Sequence, residues 1–197
     1  VTGVQTCALP ISGTTCKYQV LAVNAVGAGA ASAPAGATGA TVPSAPTAVV
    51  AQPGSTSGAV DLSWQAPASN GGQSVTQYVV QRSVSGTFST VATPSASTFT
   101  ITDTGCGAST SCTYRVAAVS VVGQGAWSAS VSAVGADVPR PVATLSAATG
   151  SGEVGAVSLG WSTAVVTDGH AVLSYVISRS IGGTWSVLTT VPDTQTT

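Results

Sequence analysis

The chain has 197 residues, a net charge of −1 and only 6% charged residues. Against the usual share of about a quarter, that leaves no electrostatic footprint for nucleic acid or for an anionic membrane surface. The most apolar stretch, VLAVNAVGAGAASAPA (20–35), is interrupted by Asn24 and Ser32 and is rich in Gly, so it does not read as a membrane span.

In chain order, residues 1–12 (VTGVQTCALPIS) show no period, and a β pattern begins at about Gly13. Val60, Leu62 and Trp64 alternate with polar or small residues. So do Tyr78, Val80 and Arg82, then Phe99 and Ile101, then Tyr114, Val116 and Ala118. Period two with β-branched and aromatic residues predicts half-buried strands. Turn chemistry separates them: Pro53-Gly54, Asn70-Gly71-Gly72, Ser85-Gly86 and Gly123-Gln124-Gly125. No window carries a helical stripe. About seven short strands in a hundred residues predict a two-sheet sandwich.

The chain also repeats itself. TCKYQVLAVNAVGAGAAS (15–32) lies under SCTYRVAAVSVVGQGAWS (111–128) at an offset of 96. AVDLSW (59–64) matches AVSLGW (156–161), and QYVVQRSVSGTF (77–88) matches SYVISRSIGGTW (174–185), both at an offset of 97. Four segments follow: 1–12, a first partial copy at 13–42, a complete copy at 43–138 and a second partial copy at 139–197.

In this order the motifs resemble the fibronectin type III family. VPSAPTAVV looks like its Pro-bearing entry. VDLSW followed by Pro67 looks like the second strand with its core Trp, and VTQYVVQRS like the third. TFTITD looks like the fifth strand, and YRVAAVSVVGQGAWS like the sixth, its following loop and the last. The resemblance covers 13–197 and implies an all-β chain of tandem immunoglobulin-like β-sandwiches, one complete and two truncated. Some family members carry an RGD in the loop matching VVGQGAW; none occurs here, so integrin binding is not carried over.

The family's turn before the sixth strand has a Leu and, six residues on, a Tyr that bonds back to the backbone. Those positions here are Cys106 and Cys112. The resemblance therefore implies a disulfide that pins the same turn, with two buried thiols as the alternative. A disulfide would imply an oxidising, extracellular setting. The same register tests residues 1–12. Cys16 occupies the Cys112 position, but its partner position is Pro10, and Gly3 and Gln5 stand where Phe99 and Ile101 should have counterparts. The likeness stops abruptly, and VTGVQTCALPIS resembles a translated sequencing adapter, so it is set aside from the fold. The alternative is a divergent strand in which Cys7 partners Cys16. The chain is accordingly expected to be a fragment of a longer protein.

No catalytic centre, metal site or cofactor is expected. Asp103, Glu153, Asp168 and Asp193 are scattered and read as solvated turn residues. His170, the single histidine, falls in a loop with no second ligand nearby. Trp64 and Trp161 read as core. Trp127 and Trp185 are the candidate ligand contacts, able to stack on a sugar or anchor a protein, with local packing as the preferred reading of both. Arg82 and Arg179 recur at one position and suit a cation–π or edge-capping role. Short linkers around Pro43 and Pro139 should limit hinge motion.

The expectation is a non-catalytic spacer or adhesion repeat of a larger secreted or cell-surface bacterial protein, with protein or polysaccharide as partner. The bacterial source is read from the Ala-, Val-, Gly- and Thr-rich composition and from the resemblance. The alternative is an accessory linker or carbohydrate-binding module of a secreted glycoside hydrolase such as a chitinase or cellulase.

Overall fold

A computed structural model describes residues 13–194. Residues 1–12, with Cys7 and the adapter question, lie outside the described residues. Every regular element described is a strand. No helix of the described residues is long and apolar enough to cross a membrane.

The first segment holds β1 (Thr15–Tyr18), β2 (Val23–Asn24), β3 (Gly27–Ala28) and β4 (Ala35–Thr38). The middle segment holds β5 (Thr47–Pro53), β6 (Val60–Gln65), β7 (Val75–Ser83), β8 (Ser89–Ala92), β9 (Thr100–Asp103), β10 (Ser111–Ser120), β11 (Gly123–Trp127) and β12 (Val131–Val134). The third holds β13 (Leu145–Thr149), β14 (Val157–Trp161), β15 (Ser174–Ile181) and β16 (Thr184–Pro192).

The middle segment is a two-sheet sandwich. One sheet runs β5-β6-β9; the other runs β11-β10-β7-β8, with β12 also paired to β10. Strands β7 and β10 are antiparallel, with Tyr78 opposite Ala118, Val80 opposite Val116 and Arg82 opposite Tyr114. Alternation then places Tyr78, Val80, Tyr114, Val116 and Ala118 in the core, where each is essentially fully buried. The rings of Trp64 on one sheet and Tyr78 on the other meet edge-on at 5.6 Å, closing the sandwich across its middle.

By packing, the chain forms two compact units. Of the described residues, one takes in 13–50 with Leu62–Ile101 and Thr113–Val131; the other takes in Ala51–Asp61, Thr102–Cys112 and 132–194. Aromatic packing dominates the core of the first. The core of the second includes Ala59, Val60, Cys106, Cys112 and Ala136.

The sequence repeat is reproduced in hydrogen bonds. The Ser128 amide donates to the Val116 carbonyl and the Val116 amide to Ser128 Oγ; Ser32 and Val20 make the same reciprocal pair. Trp161 and Tyr175 meet at 5.6 Å and 66°, against 5.6 Å and 64° for Trp64 and Tyr78. Both core indole nitrogens, Trp64 Nε1 and Trp161 Nε1, are buried without a hydrogen-bond partner. The one-residue change of offset falls in a turn. The Gly54 amide reaches over four residues to the Ala59 carbonyl, and the Gly150 amide over five to that of Ala156.

Among the described residues the outer segments hold only two-stranded sheets, and in the third segment two of these meet through Trp161 and Tyr175. β13 pairs with β14 and β15 with β16, as separate two-stranded sheets. Val157 is 65% exposed, and Leu159, Trp161, Tyr175 and Ile177 are half-buried.

Candidate functional site

The residues singled out by sequence fall in three places. Cys106 and Cys112 are bonded to each other, with Cα atoms 6.0 Å apart. Both are buried, and together they close a loop of Gly107, Ala108, Ser109, Thr110 and Ser111.

Trp127 sits on the outer face of the larger sheet, half-buried. The Arg115 guanidinium lies 4.4 Å from its ring centroid and 4.0 Å from that of Phe88. Arg115 Nε and Nη2 both donate to Gln81 Oε1, at 3.0 and 2.7 Å. Arg115 points outward because it alternates with buried Tyr114 and Val116, and Gln81 is its partner across the strands. The cation is thus held between two aromatic faces. The sequence reading gave Arg82 and Arg179 a cation–π or edge-capping role and passed over Arg115. A signal was present: the first copy has Gln19 where Arg115 stands and Ala31 where Trp127 stands, so the pair changes together.

Trp185 is 72% exposed, on β16. It edges a groove of about 430 Å³ with Val157, Leu159, Ile177 and Arg179. The groove lies within the third segment and is largely apolar.

The most organised polar cluster lies where the chain passes from the middle to the third segment. The Asp137 amide donates to Asp168 Oδ2 at 2.8 Å, and His170 Nδ1 meets the same oxygen at 2.7 Å. The His170 amide donates to Asp168 Oδ1 at 3.1 Å. The Asp168 side chain has no exposure, whereas that of His170 is 52% exposed. The carboxyl is held down at about 2, first by the His170 side chain and then by the Asp137 amide, against opposing desolvation. The reading of Asp168 as a solvated turn residue is therefore corrected. The linker closes over its loop and removes it from water. Ser109, from the disulfide loop, donates its single hydroxyl hydrogen to Asp137 Oδ2. It must then accept from the Thr167 hydroxyl, 2.6 Å away.

The preceding linker is fastened in the same place by other means. The Thr41 amide donates to the Gly71 carbonyl at 2.8 Å. Thr41 corresponds to Asp137 at an offset of 96, and Gly71 to Asp168 at 97. Next along, the Ser44 amide donates to the Ser69 carbonyl and the Arg140 amide to that of Val165, both at 2.9 Å. Gly71 has φ +70°, and a Cβ there would fall on the Thr41 carbonyl, so only glycine suits this position. Further on, a Cβ at Gly125 would fall on the carbonyl of buried Pro43.

These contacts fasten separate stretches of chain to one another. His170 and Asp168 share a turn two residues apart, and the nearby Ser109 hydroxyl is engaged by Asp137 and Thr167. Among the described residues no group of three or more His, Cys, Asp or Glu is placed to hold a metal.

No curated protein matches the chain. Among solved structures it is similar to titin domains A168–A170, at 24% identity and a TM-score of 0.45, over 52% of this chain and 36% of that one. A Fn3-like protein from Clostridium thermocellum is 27% identical with a TM-score of 0.42, over 51% of this chain and 100% of that one. The FN1–FN3 domains of chicken CNTN1 are 20% identical with a TM-score of 0.44, over 66% of this chain and 45% of that one. The match thus spans about a third of the titin segment and under half of the chicken one. Residues 44–134 match the family model of the fibronectin type III domain, and over that stretch the two-sheet sandwich carries the fold of that family.

Proposed function

We propose that this chain is a non-catalytic spacer or adhesion segment of a larger bacterial protein that works outside the cell, secreted or at its surface. One observation carries the reading: both linkers, at Thr41–Ser44 and Asp137–Arg140, are hydrogen-bonded to the loop of the segment that follows. A spacer needs successive repeats held in a fixed relation, and recurring bonds from the linker amides at equivalent positions support that reading. The buried disulfide suits an oxidising compartment. The low charge suits a segment that presents loops without attracting polyelectrolytes.

Amide hydrogen exchange on the whole chain tests this. Thr41, Ser44, Asp137 and Arg140 should be protected to the degree of strand-end amides. Exchange at the rate of free chain would remove the reading, because the linkers would then be hinges.

A carbohydrate-binding or accessory role in a secreted glycoside hydrolase is the second reading, favoured by exposed Trp185 beside its groove. Retention on chitin, cellulose or peptidoglycan that is lost in Trp185→Ala would favour it. No retention leaves the spacer.

A further inference from the structure

The two linkers are docked alike but differ in one chemical respect. The acceptor for Thr41 is a neutral carbonyl, whereas the acceptor for Asp137 is a fully buried carboxylate. The groups around Asp168 are few. From its own loop come His170, whose Nδ1 meets the carboxylate at 2.7 Å, and the hydroxyl of Thr167. From the linker come Asp137, whose carboxylate takes the Ser109 hydroxyl and the Val138 amide, and Arg140, whose amide holds Val165. From the disulfide loop comes Ser109, which is uncharged.

We propose that Asp168 is a carboxylate lock that fixes the linker between the middle and third segments and opens in acid, while the linker before it stays fastened. The inference rests on the spacer reading, because it presumes docked linkers. Its physical basis is the loss of charge-assisted bonds. A protonated carboxyl accepts more weakly from the Asp137 amide and no longer attracts the His170 ring. Because the carboxyl is depressed from 3.8 to about 2, its contribution is complete above 3.8 and is lost as pH falls through about 2. The Thr41–Gly71 bond contains no group that titrates in this range. Asp168 is a positioning residue, acting through the Asp137 amide.

The test is a pH titration of backbone amide resonances and order parameters on the whole chain. The Asp137 and His170 amides should share a midpoint near 2, with order at 137–140 falling in step and order at 41–44 unchanged. Asp168→Asn should abolish the shared midpoint. His170→Ala should move it up toward 3.8, and that exposed side chain leaves the core untouched, so the second variant decides the matter if the first misfolds. A shared midpoint at 3.8 in the parent chain, a midpoint shared by the Asp137 and His170 amides that survives Asp168→Asn, or release of both linkers together would overturn the lock. Disorder at 41–44 already at neutral pH would instead remove the spacer reading.

Discussion

The two linkers solve one geometric problem with different chemistry. At Thr41 the following loop offers a backbone carbonyl, and the closeness of approach requires a glycine. At Asp137 the loop offers a side-chain carboxylate in place of a backbone carbonyl. The turn-forming device has also moved by one residue. In the first loop Asn70 Oδ1 accepts from the Gly72 amide; in the second Asp168 Oδ1 accepts from the His170 amide. A repeat can thus keep its joint while exchanging a bond insensitive to solution conditions for one that is not.

The comparison breaks most severely at Gly71. Gly71→Val should cost the first joint about 3 kcal/mol, since strain at positive φ adds to displacement of the Thr41 carbonyl. Hydrogen exchange at Thr41 and Ser44 should rise steeply while Asp137 and Arg140 stay protected. Next comes the disulfide, which lies beside the second joint only. Cys106→Ala with Cys112→Ala should lower the stability of the middle segment by about 2–2.5 kcal/mol, read from urea midpoints. Asp168→Ala should open the second joint by about 2 kcal/mol, the value of a hydrogen bond to a charged group, and leave the first unchanged. The smallest effect belongs to Ser109→Ala. Its bonds are exposed, so about 0.5 kcal/mol is expected, seen as slightly faster exchange at 137–140.

Much of the fold was legible because a strand in a sandwich must alternate. Trp64, Tyr78, Val80, Tyr114 and Val116 announce their burial by spacing alone. The half-buried cation between Phe88 and Trp127 was harder to see, because its members come from separate stretches of chain and only their paired change between copies hints at contact. Asp168 was hidden more deeply. A single carboxylate in a polar loop reads as solvated, and nothing local reveals that a linker thirty residues upstream will cover it.

By itself, then, the sequence determined the all-β class, the repeat and the alternating core, because these follow from local period and from self-similarity. The tertiary structure alone decided which polar groups leave water. Burial of Asp168 and the sandwiching of Arg115 depend on where distant segments come to rest, and no local pattern encodes that.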